Sequence, residues 1–233
     1  MTDGVLRGPS LPGPPLPGLS VRGLGKSWRG VPTPVLTDVD FDLDHGGRLA
    51  LMGRNGQGKS TLIKILGGVL SPTRGEVIWR MSVSWPIGFG GGFQGSLSGL
   101  DNIRFIARIY DRPYAETLAR VDDFAELGSA LKEPVKHYSS GMRARLAFGL
   151  SLAIEFDCYL IDELVAVGDA RFQQKCREAL FERRAERTFI MASHDMHLVA
   201  EQCDRALIIE GGRAKLFADI EEAIEIYTWL RAA

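Results

Sequence analysis

From Val21 onward, "VRGLGKSW" and "VLTDVDFDLDHGG" alternate apolar and polar positions, the period of half-buried strands. They predict a small antiparallel β-subdomain. Three later runs, "RLALMG", "CYLIDE" and "TFIMASH", are short and apolar, with helical patterns between them. That alternation predicts a parallel sheet with crossover helices. From about residue 98 to 155, "DNIRFIARIY", "YAETLARVDDFAELG" and "GMRARLAFGLSLAIEF" carry apolar positions near a 3.6-residue period and predict a helical insertion. "RALIIEGGRAKLFA" predicts a hairpin around Gly211 and Gly212. Residues 1–20, "MTDGVLRGPSLPGPPLPGLS", are rich in Pro and Gly and lack periodicity, which predicts a disordered tail ahead of a domain at 21–233. The fold class expected is α/β, with no internal repeat and no heptads.

Length and composition narrow the function. A chain of 233 residues, 45% of them hydrophobic, can bury the core of one sizeable α/β domain or two small ones. Lys and Arg number 28 against 29 Asp and Glu, so there is no overall pull toward nucleic acid. Cys158, Cys176 and Cys203 are odd in number, far apart and without CxxC spacing, which points to neither a disulfide framework nor a zinc site and suits a reducing cytosol. No apolar run reaches the roughly 18 residues that would span a bilayer, and the start lacks a signal-peptide pattern.

Chemistry concentrates in a few motifs. "GRNGQGKST" matches GxxxxGK[ST] at Gly53, Gly58, Lys59 and Ser60, between the strand "RLALM" and the helix "LIKILGGV". Gly53, Gly56 and Gly58 let successive amides turn toward one anion beside the helix N-terminus, and Asn55 and Thr61 of the same loop count among the nucleotide-binding candidates. Lys59 reaches outer phosphates and Ser60 can ligate Mg²⁺. "CYLIDE" ends a strand in two carboxylates: Asp162 suits a metal ligand and Glu163 a base for the attacking water. "SHD" ends the next strand, which places His194 at the same sheet edge, able to hydrogen-bond a γ-phosphate or the water. In "YSSGM", Ser139 and Ser140 read as helix caps, and amides there favour an anion too weakly to hold a nucleotide alone. The stretch "SWPIGFGGGFQGSL" contains GxGxxG at Gly90, Gly92 and Gly95, but a turn-rich loop follows it and no acid-tipped strand, so it does not read as a dinucleotide site.

Taken in order, "GRNGQGKST", "YSSGM", "CYLIDE", "VAVGD" and "SHD" resemble the nucleotide-binding subunit of an ATP-binding cassette transporter over about residues 21–233. The resemblance implies a P-loop NTPase fold and a head-to-tail homodimer that binds ATP and Mg²⁺. Each ATP would lie between one phosphate loop and the opposite Ser139 and Gly141, with Asp169 lining the interface and Trp28 stacked on adenine. The signature departs from the usual LSGGQ at Ser140 and Met142, and the metal-facing glutamine falls to Gln94. "SWPIGFGGGFQGSLSGLDNIRFIARIY" and "DELVAVGDARFQQKC" resemble, more narrowly, exporters of capsular polysaccharide in Gram-negative bacteria. That narrower likeness implies a polytopic permease partner, a lipid-linked polysaccharide cargo, and a peripheral position on the cytoplasmic face of the inner membrane. It also makes the Gly-rich stretch the loop that touches the permease. An exporter of O-antigen or teichoic acid, a regulatory cassette without productive hydrolysis and an importer ATPase stand as alternatives. A cassette acting on DNA or the ribosome is disfavoured by the single compact chain and balanced charge.

Overall fold

The computed structural model describes residues 16–87, 93–162 and 170–232. In chain order the elements are β1 (Leu19–Lys26), β2 (Leu36–Leu43), β3 (Arg48–Met52), α1 (Lys59–Leu66), β4 (Arg74–Trp79), α2 (Gly99–Ile109), α3 (Tyr114–Ala125) and α4 (Ser140–Ala153). They continue with β5 (Cys158–Asp162), α5 (Ala170–Arg177), β6 (Thr188–Ala192), α6 (Met196–Gln202), β7 (Arg205–Glu210), β8 (Arg213–Phe217) and α7 (Ile220–Ala232). Residues 1–15, the greater part of the expected tail, lie outside the described residues.

Two sheets form. β2, β1 and β4 make an antiparallel three-stranded sheet, and β5-β6-β3-β7-β8 a five-stranded one in that order. In the larger sheet β5, β6, β3 and β7 run parallel, and β8 closes the edge as the antiparallel half of a hairpin with β7. β4 was not anticipated from the sequence, because "RGEVIW" is only half apolar. It pairs along β1 from Leu19↔Trp79 to Gly25↔Arg74.

The parallel strands are apolar on both faces because both faces are covered. Leu49 and Leu51 of β3, Leu160 of β5 and Ile190 of β6 face a cluster shared with α1 and with Leu19, Val21, Phe41 and Leu43 of the small sheet. Their alternating neighbours Ala50, Met52, Tyr159, Ile161, Phe189 and Met191 face the other way, onto Phe148, Phe172, Leu180 and Leu198. The insertion has its own core, in which Ile103 of α2 and Val121 of α3 meet Leu146 and Leu150 of α4. Short 3₁₀ turns at Gly128–Lys132 and Val135–His137 lead into α4.

The free edge of β5 is covered by the segment from Ser82 to Ile87. Cys158 N donates to Ser82 O at 2.9 Å, Ser84 N to Cys158 O at 2.9 Å, and Ile87 N to Leu160 O at 2.7 Å. Leu160 N finds its acceptor in the Ser84 hydroxyl at 3.0 Å, and that hydroxyl donates to Trp85 O at 2.8 Å. An otherwise open strand edge is thereby paired. Ser84 is buried, so Ser84→Ala strands the Leu160 amide away from water. The expected cost is about 1–3 kcal/mol, read as a lower urea midpoint with an unchanged slope. An unchanged midpoint would show that the Ser84 bond contributes nothing.

Candidate nucleotide site

The phosphate loop begins where β3 ends. Met52 closes the strand, and the chain turns through Gly53 and Gly58 into α1. At Gly53 an added Cβ would lie 2.5 Å from the Ile209 carbonyl oxygen of β7, so only glycine fits. Gly58 holds φ at 104° directly before α1, and a Cβ there would meet Val35 at 2.9 Å. α1 then opens with no side-chain cap and no acidic residue in its first turn. Its initial amides and the positive end of its dipole are left for an anion.

Lys59 is the charged group of this loop and is 93% shielded, at 7% exposure. Its ammonium donates to the carbonyls of Gly53 at 2.7 Å and Arg54 at 3.2 Å. These carbonyls provide the hydrogen bonds that a buried cation needs. Gln57 fixes the far side of the loop: its side-chain oxygen accepts from Gly211 N of the β7–β8 turn at 2.9 Å. The hydroxyl of Tyr227, on α7, donates to Gly53 O at 3.2 Å.

Register brings the acid to the loop. Asp162 lies level with Ala192 of β6, and Ala192 with Leu51 of β3, so the three strands end at one edge. There Ser60 Oγ donates to Asp162 Oδ1 at 2.9 Å. β6 continues into Ser193, whose hydroxyl accepts from Asp195 N at 3.1 Å. Asp195 in turn caps α6 by accepting from His197 N and Leu198 N, both at 3.1 Å. That turn presents His194 to solvent at the edge.

A cavity of about 610 Å³ runs along the loop, lined by Trp28, Val35, Asn55, Gly56, Gly58, Lys59, Ser60, Thr61 and His194. Every residue expected from the phosphate-loop motif beyond Gly53 therefore faces one space, together with Trp28 and His194. Trp28 is 42% exposed, with Lys26 Nζ 4.8 Å above its ring. A second cavity of about 350 Å³ is lined by Arg54, Asn55, His194, Tyr227 and Arg231.

Some expected residues stand apart. Ser139 is the N-cap of α4 and accepts from Met142 N at 3.2 Å, whereas Ser140 is already helical. Neither Ser139 nor Gly141 lines the cavity of its own chain. Gln94 does not line it either: its carboxamide donates to Ser96 Oγ at 3.2 Å. Glu163 and Asp169, and the glycines at 90, 91 and 92, lie outside the described residues. His197 is a surface residue, 3.5 Å from Glu201.

The described residues hold no group of three or more His, Cys, Asp or Glu side chains able to bind a metal ion. The cysteines are inert packing groups. All three are free and buried, and desolvation raises the Cys158 thiol well above its usual range and pushes Cys176 and Cys203 up to about 12.

The comparisons with known proteins decide the family. The model of the ABC transporter family matches residues 36–166. The chain belongs to the ABC transporter family. As an ABC cassette it is an ATPase subunit, with ATP as its nucleotide. It is 51% identical over 205 residues to the capsule polysaccharide export ATP-binding protein CtrD of Neisseria meningitidis serogroup B, covering 88% of this chain and 93% of that one. It is 50% identical over 193 residues to the ATP-binding protein BexA of Haemophilus influenzae, covering 83% of this chain and 89% of that one. Its fold matches a dimeric, post-hydrolysis ATP-binding cassette bound to ADP and Pi, with a TM-score of 0.71, 20% identity, and coverage of 86% and 98% of the two chains. No helix among the described residues of the cassette is long and apolar enough to cross a membrane.

Three further residues that shape the site carried no motif. Asn102 is buried and ties the exit of the Gly-rich stretch to α2, accepting from Gln94 N at 3.0 Å and donating to Ser98 O at 2.9 Å. Gln57 occupies a variable position of the phosphate-loop pattern. Tyr227 reads as one apolar position of an amphipathic helix; its one signal is a hydroxyl where Phe would pack as well, since a buried tyrosine needs a partner.

Gly58→Ala tests the loop directly. It forces a side chain into left-handed backbone against Val35 and should cost the ABC cassette about 1–3 kcal/mol, with ATP affinity falling in parallel. Equilibrium denaturation and ATP titration check both, and wild-type values in either would contradict the strain.

Proposed function

We propose that this cassette energises export of a capsular polysaccharide across the inner membrane, as one of two identical ATPase subunits docked on the cytoplasmic side of a polytopic permease. The observation that carries the ATPase site is the 2.9 Å bond from Ser60 to Asp162 beside the buried Lys59. The cargo reading rests on the identity of about half the aligned residues with CtrD and BexA, the former a capsule polysaccharide exporter by name.

In this reading ATP lies in the cavity along residues 53–61, with its outer phosphates on the α1 amides and the Lys59 ammonium. Trp28 stacks on the adenine. Asp162 and Ser60 are hard oxygen donors already within hydrogen-bond distance of each other, and that set fits Mg²⁺. Bound by these two residues, Mg²⁺ would neutralise charge on the nucleotide's phosphates. Glu163, one residue beyond Asp162, takes the proton of the attacking water, and His194 donates to the γ-phosphate.

Gly141 supports the second half of the site. Its backbone φ is not in the left-handed region, and the nearest atom to an added Cβ is Ser139 Oγ at 3.9 Å. Nothing among the described residues requires a glycine at 141. A phosphate or backbone approaching from a second copy does, and Ser139 at the same helix start offers its hydroxyl to that anion. Asp169 lines the same interface.

Three substitutions test these roles. Lys59→Ala should weaken ATP binding by roughly a hundredfold, the worth of a buried charge-assisted contact. Glu163→Gln should retain binding, accumulate an ATP-bound dimer in gel filtration, and lose at least about a hundredfold in turnover; hydrolysis at the wild-type rate would remove Glu163 as base. Gly141→Ala should move two readouts in opposite directions. The isolated subunit gains up to about 1 kcal/mol in helix propensity, while ATP-driven dimerisation and ATPase activity fall. Loss of both together would place Gly141 in the subunit's own fold instead.

A further inference from the structure

We infer that Tyr227 is a positioning residue for the phosphate loop: its hydroxyl keeps the Gly53 carbonyl hydrogen-bonded when Lys59 leaves it for the phosphates of ATP. This rests on the reading of Lys59 as the phosphate ligand. Tyr227 lies 174 positions from Gly53 in sequence, and its hydroxyl meets the Lys59 ammonium on one atom. Gly53 O accepts Lys59 Nζ at 2.7 Å and Tyr227 OH at 3.2 Å, and a carbonyl oxygen has two lone pairs to offer.

The surroundings make the second bond consequential. Gly53 is buried, with Ile209 O against its Cα. Tyr227 is 3% exposed, packed with Met52, Ile208 and Ala223 and covered by the Arg231 guanidinium at 5.8 Å from its ring. The same helix walls the cavity that Arg54, Asn55 and His194 share with it.

In the nucleotide-free state Lys59 and Tyr227 both satisfy the carbonyl. Once Lys59 turns to phosphate, the carbonyl keeps Tyr227. Without that hydroxyl it would be left buried and unpaired, and ATP binding would have to overcome this. Tyr227 therefore lowers the cost of releasing Lys59.

The test is Tyr227→Phe in the full chain, which keeps the ring and removes the donor. ATP titration should show affinity weakened about tenfold, with the nucleotide-free melting temperature within about 2 °C of wild type because Lys59 still holds the carbonyl. In a Lys59→Ala background, melted without nucleotide, the same substitution should lower the melting temperature by about 4 °C or more, since Tyr227 is then the donor that remains. Wild-type affinity in Tyr227→Phe, or equal melting shifts in the two backgrounds, overturns the positioning role while leaving the phosphate loop intact. Unchanged affinity in Lys59→Ala alone overturns the phosphate-loop reading and this inference with it.

Discussion

The parallel register of β5, β6 and β3 is the constraint on which the site depends. Ser60 and Asp162 are 102 positions apart, and no local structure relates them. They meet because Asp162 pairs with Ala192 and Ala192 with Leu51, so the ends of three strands share one edge. A slip of one residue would turn Asp162 to the opposite face and bury a carboxylate among the apolar partners of Tyr159 and Ile161. The alternation of Leu49 and Leu51 against Ala50 and Met52 across two separate cores forbids that slip. Hydrophobic packing on both faces thus fixes the position of a largely hydrophilic site.

The loop beside that edge is set up for exchange. A buried ammonium must be hydrogen-bonded, and Lys59 is, by two backbone carbonyls of its own loop. Those contacts hold the ammonium over the loop; in the proposed reading the outer phosphates of ATP replace them without the charge passing through an unpaired state. The glycines allow the same backbone to present amides on one side and carbonyls on the other. Bracing from outside the motif, by the β7–β8 turn through Gly211 N on Gln57 and by α7 through Tyr227, holds the loop against the rest of the domain.

Local patterns revealed most of this architecture, and their failures have physical causes. The alternation in "VLTDVDFDLDHGG" and the apolar runs at β3, β5 and β6 are properties of strands whose faces are respectively half and fully buried, so they were legible. β4 escaped because an edge strand such as "RGEVIW", with its residues exposed or half-buried, needs no apolar period. The phosphate loop was legible because its chemistry demands glycines at fixed spacing. Ser139 was legible as a cap, but Ser140 was not distinguishable from it, since both are capping types and only backbone geometry says which precedes the helix. Gln94 was assigned by its place in the chain, whereas its carboxamide is directed onto Ser96. Tyr227 and Asn102 escaped because a single long-range hydrogen bond leaves no period behind.

The segment before the Gly-rich stretch gives that stretch a mechanical link to the site. Ser82 to Ile87 is bonded along the exposed edge of β5, the strand whose last residue is Asp162. Trp85 in this segment also meets Tyr110 at the end of α2 at 5.5 Å and Phe156 just before β5 at 5.6 Å, and those two rings meet each other at 5.4 Å. Three elements that belong to the core, the insertion and the stem of the loop are therefore clamped by one aromatic triangle. At the other end Asn102 holds residues 94–98 to α2. The first anchor is joined to β5 by hydrogen bonds and to α2 by packed rings. The residues on either side of the Gly-rich stretch are thus tied, one side to the strand that carries Asp162 and the other to α2.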